Sequence, residues 1–263
     1  MKALGSTHIL SRIVAAKRQR VERTRMRVPE AVVKHFAFKA PAAPSLREAL
    51  QNARPVRVIA EVKKASPSKG VFRQSFSVSD LVDSYTSAGA SAISVVTEED
   101  FFQGSLAWIA EIRERSLLPV LRKDFVFDPY QIYETRNAKA SAILLIVAML
   151  QPEELRSFVS LSKEVGLDAL VEVHDEVELG EALEAGAEII GVNNRNLKTF
   201  EVDIQTSHRL AKLIPDDRIF VVESGIRDRA DIESLQAAGA DAFLIGETLI
   251  VSENPSDTLR GLL

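Results

Sequence analysis

The chain has 263 residues, of which 46% are hydrophobic and 27% charged, with a formal net charge of -4 and no cysteine. This length suits one large α/β domain, and the mixed, slightly acidic charge argues against a nucleic-acid binder, whose surface would be basic. Disulfides and thiolate metal sites are excluded, and no apolar run reaches the roughly 18–20 residues of a membrane helix, so we expect a cytoplasmic protein without membrane or nucleic-acid partners.

Residues 1–55 come before the first predicted strand. We predict a helix from about Ile9 to Arg25, an irregular proline-containing link, and a second helix from Ser45 to Ala53. This region is too short and too polar to bury a core of its own. We therefore expect it to pack as an N-terminal helical extension on a single domain that spans residues 1–263.

Eight apolar runs follow along the chain, and four of them repeat a pattern of small residues before the run at intervals of about 50 residues. The runs are apolar throughout rather than alternating, which is typical of parallel strands buried on both faces. The predicted strands begin near Val56, Ala88, Leu118, Ala138, Leu167, Ala185, Arg218 and Ala238.

Amphipathic stretches alternate with these strands. They predict helices over 78–87, 105–115, 129–137, 152–165, 176–185, 204–213 and 229–238, and one more helix after the eighth strand. Eight strands that alternate with helices predict a (β/α)8 TIM barrel. The alternative, an open doubly wound sheet, would normally carry a glycine-rich dinucleotide motif after its first strand, and the segment EVKKASPSKG from Glu61 is not one.

Charged and amide side chains lie at the carboxyl ends of several predicted strands, at alternate positions that share the inward-facing parity. Catalytic groups of such barrels lie at this end, and a mixture of carboxylates and cations there suits acid–base chemistry. The alternative is a set of structural ion pairs, which would explain one pair more easily than the whole group. The residues are Glu61, Lys63, Lys123, Glu172, Asn193, Arg195 and Glu223.

Glycines follow the last two predicted strands, in the segments ESGI and LIGE. Loops at these positions bind phosphate in many barrels, and Ser224 adds a hydroxyl group beside Gly225 and Gly246. The pattern predicts a phosphate ester as substrate. The four histidines lack metal-ligand spacing, so we expect no metal site. His174 follows the fifth strand, where it could approach the site, but capping the next helix is the commoner role of such a residue.

Five segments carry a resemblance to a known family. They are VIAEVKKASPSKGVF (58–72), PVLRKDFVFDPYQIYE (119–134), ALVEVHDEVEL (169–179), IIGVNNRNL (189–197) and VVESGI (221–226). In this order, and with the N-terminal extension, they resemble the indole-3-glycerol phosphate synthases over nearly the whole chain.

That resemblance implies a carboxy-lyase of tryptophan biosynthesis that needs no metal and no organic cofactor. Its reaction closes the ring of 1-(2-carboxyphenylamino)-1-deoxyribulose 5-phosphate and releases carbon dioxide and water to give indole-3-glycerol phosphate. Lys123 matches the general acid, and Lys63 a second acid held by Glu61. Glu172 matches the acid/base that assists dehydration. We expect a monomer, with a weak homodimer as the alternative.

The resemblance also implies the residues that bind the substrate. Asn193 and Arg195 would hold the anthranilate part, and the last two loops the sugar and phosphate. Phe125, in the loop after Lys123, and Leu197 would supply apolar contact to the ring. Glu247 departs from the commonest pattern, in which a small residue donates to phosphate, so its side chain would have to turn away. The full set is Ser66, Asn193, Arg195, Leu197, Glu223, Ser224, Gly225, Gly246 and Glu247.

Three other interpretations of the sequence compete with this one. Phosphoribosylanthranilate isomerase is a phosphate-binding barrel of the same pathway, but that family is shorter and uses a cysteine, which this chain lacks. A catalytically silent barrel would be expected to have lost at least one key charge, and all are present. An engineered barrel on the same scaffold has no distinguishing sequence feature.

Overall fold

Eight parallel strands close into a barrel in the computed structural model, which describes residues 2, 9–52, 54–197 and 199–263. Each strand is hydrogen-bonded to the next along the chain, and β8 pairs with β1 to complete the circle. The predicted TIM barrel is confirmed. The strands are β1 Val58–Val62, β2 Ala92–Val96, β3 Val120–Lys123, β4 Ala142–Ile146, β5 Asp168–Val173, β6 Ile189–Asn193, β7 Ile219–Glu223 and β8 Ala242–Ile245.

Helices surround the barrel and account for the amphipathic pattern. The seven predicted between strands are confirmed, with ends within two residues of those expected. Asp128 and Asp228 cap the helices Pro129–Asn137 and Arg229–Ala237 by accepting backbone N–H groups. The helices after β1 are α4 Val78–Ala88, α5 Ala107–Arg115, α6 Pro129–Asn137, α7 Pro152–Glu164, α8 Glu176–Glu184, α9 Gln205–Ala211, α10 Arg229–Ala237, α11 Glu247–Ile250 and α12 Pro255–Leu262.

The described residues of the N-terminal region form three helices, α1 Ile9–Arg27, α2 Glu30–Lys39 and α3 Leu46–Gln51. The prediction of an irregular link was therefore wrong, because α2 begins directly after Pro29. Proline breaks a helix only in its interior, whereas at the start its missing N–H costs nothing. The predicted end of the last helix at Ala53 lies outside the described residues.

The prediction of one helix after the last strand was also wrong. Two helices follow β8, the four-residue α11 and then α12. Asn254 caps α12 by accepting the N–H of Asp257, and Pro255 occupies its first turn. A single turn such as α11 is too short to show a helical period in the sequence.

The extension packs against both ends of the barrel. At the amino-terminal end, Ser45 donates a hydrogen bond of 2.9 Å to Asp168 at the start of β5, and Leu46 is buried. At the carboxyl end, Leu10 and Ile13 of α1 form part of the cavity wall. Within the described ranges, none of the helices has the length and apolar character of a membrane crossing.

Candidate active site

A cavity of about 810 Å³ opens at the carboxyl ends of the strands. All thirteen residues that the sequence singled out lie in its wall, so the barrel brings the whole predicted set together. They are Glu61, Lys63, Ser66, Lys123, Glu172, Asn193, Arg195, Leu197, Glu223, Ser224, Gly225, Gly246 and Glu247.

Lys123 lies at the centre of the charged cluster and is shared by two carboxylates. Its Nζ is 3.1 Å from Glu172 Oε2 and 3.0 Å from Glu223 Oε2. Burial favours the neutral amine, but the charges of Glu172 and Glu223 outweigh it and raise the pKa of Lys123. The end of β3 therefore presents a stable ammonium group to the cavity.

The two carboxylates that share Lys123 differ in their surroundings. Burial raises the pKa of Glu223 to about 7, and its Oε1 atom is buried without a hydrogen-bond partner. Burial acts on Glu172 in the same direction, but Lys123 and His174 outweigh it, and Asn193 adds a hydrogen bond, so the pKa of Glu172 is lowered. One site thus holds an ionised carboxylate beside one that takes up a proton near neutral pH.

A second ion pair lies at the end of β1. Lys63 Nζ is 2.5 Å from Glu61 Oε1 and lies 5.5 Å from the centroid of the Phe72 ring. Glu61 is buried, whereas Lys63 is partly exposed to the cavity. A Cβ atom on Gly246 would lie only 2.3 Å from Glu61 Oε1. Glycine at this position therefore leaves the space that the carboxylate of Glu61 occupies.

The loops after β7 and β8 have the backbone geometry of an anion site. Ser224 and Gly225 both have positive φ, at 66° and 84°, and a Cβ atom on Gly225 would lie 2.8 Å from Val202. Gly246 directly precedes α11, whose first N–H groups have no partner within the helix. Successive turns of this kind direct N–H groups towards one point and favour a negative charge there.

Glu247 turns its side chain away from that backbone. Its carboxylate pairs with Lys69 and lies 3.4 Å from Arg195 Nη2. Arg195 also donates to the carbonyl oxygen of Phe200 at 3.1 Å, and its own N–H donates to Asn193 Oδ1 at 3.0 Å. The guanidinium of Arg195 is thus fixed at the rim of the cavity.

Sequence reasoning missed part of the apolar wall. Phe102 and Phe125 both line the cavity, with ring centroids 5.9 Å apart. Phe125 follows Lys123 closely and was expected near the ring of the substrate, but Phe102 was not expected there. Glu98 fixes the Phe102 loop, because its carboxylate accepts the N–H groups of Asp100, Phe101 and Phe102.

Another missed feature is the buried charge network behind β3. Asp124 accepts hydrogen bonds from Thr97 at 2.6 Å and Arg122 at 3.0 Å, and its Oδ2 is 2.6 Å from Lys17 Nζ of α1. Burial alone would raise the pKa of Asp124, but Lys17 and Arg122 lower it to about 2. The extension thereby holds the residue next to Lys123.

His174 lies behind Glu172 rather than in the cavity wall. Its Nδ1 is 2.9 Å from Glu178 Oε2 at the start of α8, and its Nε2 is 3.4 Å from Glu172 Oε1. It therefore contacts both the following helix and the site. Among the described residues, no cluster of three or more histidine, cysteine or acidic side chains has a metal-binding arrangement.

Comparisons with known proteins agree with this geometry. A family model described as indole-3-glycerol phosphate synthase matches residues 10–262. A protein of that name from Dehalococcoides mccartyi (strain CBDB1) is 50% identical over 258 residues, which cover 97% of this chain and all of that protein. Another, from Roseiflexus sp. (strain RS-1), is 47% identical over 262 residues, covering 97% of both chains.

Solved structures with a similar fold are more distant in sequence. A 3-hexulose-6-phosphate synthase from Salmonella typhimurium has a TM-score of 0.64 at 14% identity, covering 79% of this chain and 96% of that one. A thiamine phosphate pyrophosphorylase from Pyrococcus furiosus has a TM-score of 0.60 at 13% identity, covering 83% and 96%. Likeness at this level of identity shows the barrel fold alone.

The raised pKa of Glu223 predicts a pH-dependent effect of Glu223→Gln on stability. The pKa is about 7 in the folded protein against an ordinary value of 4.5, so the folded state binds this proton more tightly and loses relative stability as pH rises through that interval. Near pH 8, Glu223→Gln should therefore raise the free energy of unfolding by roughly 1–3 kcal/mol. The gain should shrink as pH falls towards about 4.5, which urea unfolding at several pH values measures.

Glu253→Gln, at an exposed position, is the matched control and should show no such trend. A Glu223→Gln effect that stays constant with pH would contradict the assigned protonation of this carboxyl group.

Proposed function

The chain belongs to the indole-3-glycerol phosphate synthase family, carboxy-lyases of tryptophan biosynthesis, and we propose that the cavity at the barrel mouth performs this reaction. The substrate is 1-(2-carboxyphenylamino)-1-deoxyribulose 5-phosphate, and the products are indole-3-glycerol phosphate, carbon dioxide and water. The observation that carries the proposal is the ammonium of Lys123 held between Glu172 and Glu223, because ring closure needs an acid and dehydration needs a carboxylate base.

The substrate has a charged group at each end, and the cavity offers a partner for both. The backbone at Ser224, Gly225 and Gly246 receives the phosphate, and the guanidinium of Arg195 pairs with the carboxylate of the anthranilate part. Phe125 and Leu197 contact the aromatic ring. A cavity of about 810 Å³ falls within the usual range for a ligand of this size.

Ring closure comes first. The aromatic carbon that carries the carboxylate attacks the ketose carbonyl carbon, and Lys123 donates a proton to the carbonyl oxygen as the new bond forms. Attack destroys aromaticity and leaves positive charge on the ring system. The neighbouring carboxylates Glu172 and Glu223 stabilise that charge and hold Lys123 in place.

Loss of carbon dioxide comes next and restores the aromatic ring. The electron pair of the broken carbon–carbon bond returns to the ring, so no external base is needed. Arg195 must release the carboxylate at this step. Its own carboxylate partner Glu247, 3.4 Å away, remains available to the guanidinium.

Dehydration completes the indole. Glu172 takes the proton from the methylene carbon of the new ring, and Lys63, held by Glu61, donates a proton to the departing hydroxyl group. Lys123 and Lys63 together give two protons and Glu172 receives one. The net uptake of one proton equals that required when a carboxylate leaves as neutral carbon dioxide. No step of this reaction takes electrons from the substrate or gives electrons to it, so the reaction requires no redox cofactor.

Three further residues complete the proposed substrate-binding set. Ser66 lies in the loop after β1, in a short hairpin with Gly70, and we propose that it contacts the sugar or the carboxylate. Glu223 contacts a sugar hydroxyl as well as Lys123. We propose that Glu247 contributes its backbone N–H to the phosphate, since its side chain is engaged elsewhere.

We further propose that the chain works as a single-domain monomer in the cytoplasm. The three helices of the extension pack on the barrel: Asn137 of α6, for example, donates to the carbonyl oxygen of Val33 in α2 at 2.9 Å. The small-molecule substrate needs no partner protein to complete the cavity wall, which a single copy of the chain already forms.

The direct experiment measures indole fluorescence as purified protein acts on the carboxyphenylamino-deoxyribulose phosphate without added metal. We expect turnover by the unmodified protein. Lys123→Ala should reduce kcat by a factor of at least about 100, which is the usual contribution of a positioned general acid to the rate. Fluorescence quenching should still detect substrate binding by this variant. Unmodified protein that fails to turn over this substrate would refute the function.

Arg195→Ala is the matched binding variant in the same cavity. It should raise KM by roughly tenfold or more, since a charge-assisted contact of about 1.5–3 kcal/mol is lost, and should lower kcat less than Lys123→Ala does. If Lys123→Ala keeps most of the activity, or if the two variants exchange these effects, the assigned roles are wrong.

A further inference from the structure

His174 is a buried titratable group that the proposed reaction does not use. It directly follows β5, two residues beyond Glu172, and it is absent from the cavity wall. Its ring lies between two carboxylates, with Nδ1 2.9 Å from Glu178 and Nε2 3.4 Å from Glu172. The Nε2 atom is buried and makes no hydrogen bond, so its interaction with Glu172 is electrostatic.

Glu178 holds the imidazole in this position. Its Oε2 atom accepts both the backbone N–H of His174 at 2.8 Å and the ring Nδ1–H at 2.9 Å. Glu178 is fixed in turn, because its own N–H donates to Asp175, the cap of α8. The ring can therefore neither rotate freely nor approach the substrate, which identifies His174 as a group that acts through Glu172.

Side chains from the neighbouring strands surround the carboxylate of Glu172. Lys123 of β3 faces its Oε2 atom, and His174 faces its Oε1 atom. Asn193 of β6 donates a hydrogen bond to it, and the carboxylate of Glu223 on β7 also faces Lys123. The apolar side chain of Ile146 on β4, paired with Glu172 in the sheet, brings no charge.

This arrangement makes His174 the main charged difference between the two carboxylates that share Lys123. Glu172 has a cation on both oxygens, whereas the second oxygen of Glu223 has no partner. Burial lowers the pKa of His174, but Glu178 and Glu172 outweigh it and raise that pKa. His174 is therefore favoured in its charged form, in which it is a counter-ion to the Oε1 atom of Glu172.

We infer that His174, held by Glu178, is a positioning residue that selects Glu172 rather than Glu223 as the ionised base of the site. The inference rests on the proposed function, because the base is needed for the dehydration step. Without the imidazolium, Glu172 and Glu223 would compete for Lys123 on similar terms. The proton would then reside on Glu172 over a wider range of pH, and the base would be lost at the acidic end.

The test is the pH dependence of kcat and KM for the formation of indole-3-glycerol phosphate. It compares the variants His174→Asn and Glu178→Gln with the control His208→Asn. His208 is a histidine of α9, 3.4 Å from Ser234, and it does not line the cavity. In His174→Asn the acidic limb of log kcat should move to higher pH by about one pH unit, the usual effect of removing an opposite charge at this distance. KM should change less than twofold, because the ring does not touch the substrate.

Glu178→Gln should shift the limb in the same direction by a smaller amount, since the imidazole loses the carboxylate that keeps it charged. His208→Asn should reproduce the profile of the unmodified protein. Thermal unfolding checks that each variant is folded. If His174→Asn does not fold, the profile of Glu178→Gln alone provides the test.

Two results would overturn the inference. One is a profile of the folded variants that superimposes on that of the unmodified protein. The other is an equal fall of kcat at every pH, which would mean that His174 supports the structure without setting the charge of Glu172. Neither result affects the proposed function, which fails only if the unmodified protein does not form indole-3-glycerol phosphate.

Discussion

The pairing of one partly buried ammonium group with two buried carboxylates is the constraint around which the barrel mouth is built. Lys123 ends β3, and its partners Glu172 and Glu223 come from β5 and β7. A buried charge without partners is strongly unfavourable, so the three strands must meet with their side chains directed inwards. Closure of the sheet satisfies this requirement, because strands distant in sequence then share a small circle.

Space for the charges is provided by glycines on neighbouring strands. A Cβ atom at Gly191 would lie 2.2 Å from Glu223 Oε1, just as one at Gly246 would lie 2.3 Å from Glu61 Oε1. Each carboxylate therefore faces a position where a larger residue would collide. The cost of burying these groups is recovered elsewhere, in the apolar layers of the barrel and in the helices packed outside it.

The extension contributes to the site as well as to the fold. Lys17 of α1 pairs with Asp124 next to Lys123, and the neighbouring Arg20 pairs with Asp100 in the loop that carries Phe102. One helix therefore fixes two loops whose aromatic rings meet in the cavity. Loops of this kind would otherwise be the most mobile part of the barrel.

The sequence predicted the barrel well because its signals are local and repeated. Continuous apolar runs and capping residues such as Asp128 are properties of short segments, and strand parity places Glu61 and Lys123 on the same face without further information. The thirteen site residues follow from parity together with the family resemblance. The N-terminal helix α2 was missed because a proline that starts a helix resembles one that ends it.

Other features escaped prediction because they depend on contacts between distant segments. Phe102 lies in a loop shaped by the buried Glu98, and Lys17 meets Asp124 only after α1 packs on the barrel mouth. The helix cap expected at His174 is formed by Asp175 instead, and His174 contacts both Glu178 of α8 and Glu172. Its proximity to Glu172 depends on the direction of a side chain just beyond a strand, which sequence patterns do not specify.

The charge state of Lys123 is the property on which this arrangement of the barrel mouth depends. It can be followed by NMR of protein labelled with ¹⁵N at the lysine side chains, with the Lys123 signal assigned by its loss in Lys123→Met. We predict that Lys123 remains an ammonium at pH values above 10.5, the ordinary pKa of lysine, where exposed lysines have lost their protons. Deprotonation of Lys123 below that pH would contradict the central role given to this ion cluster.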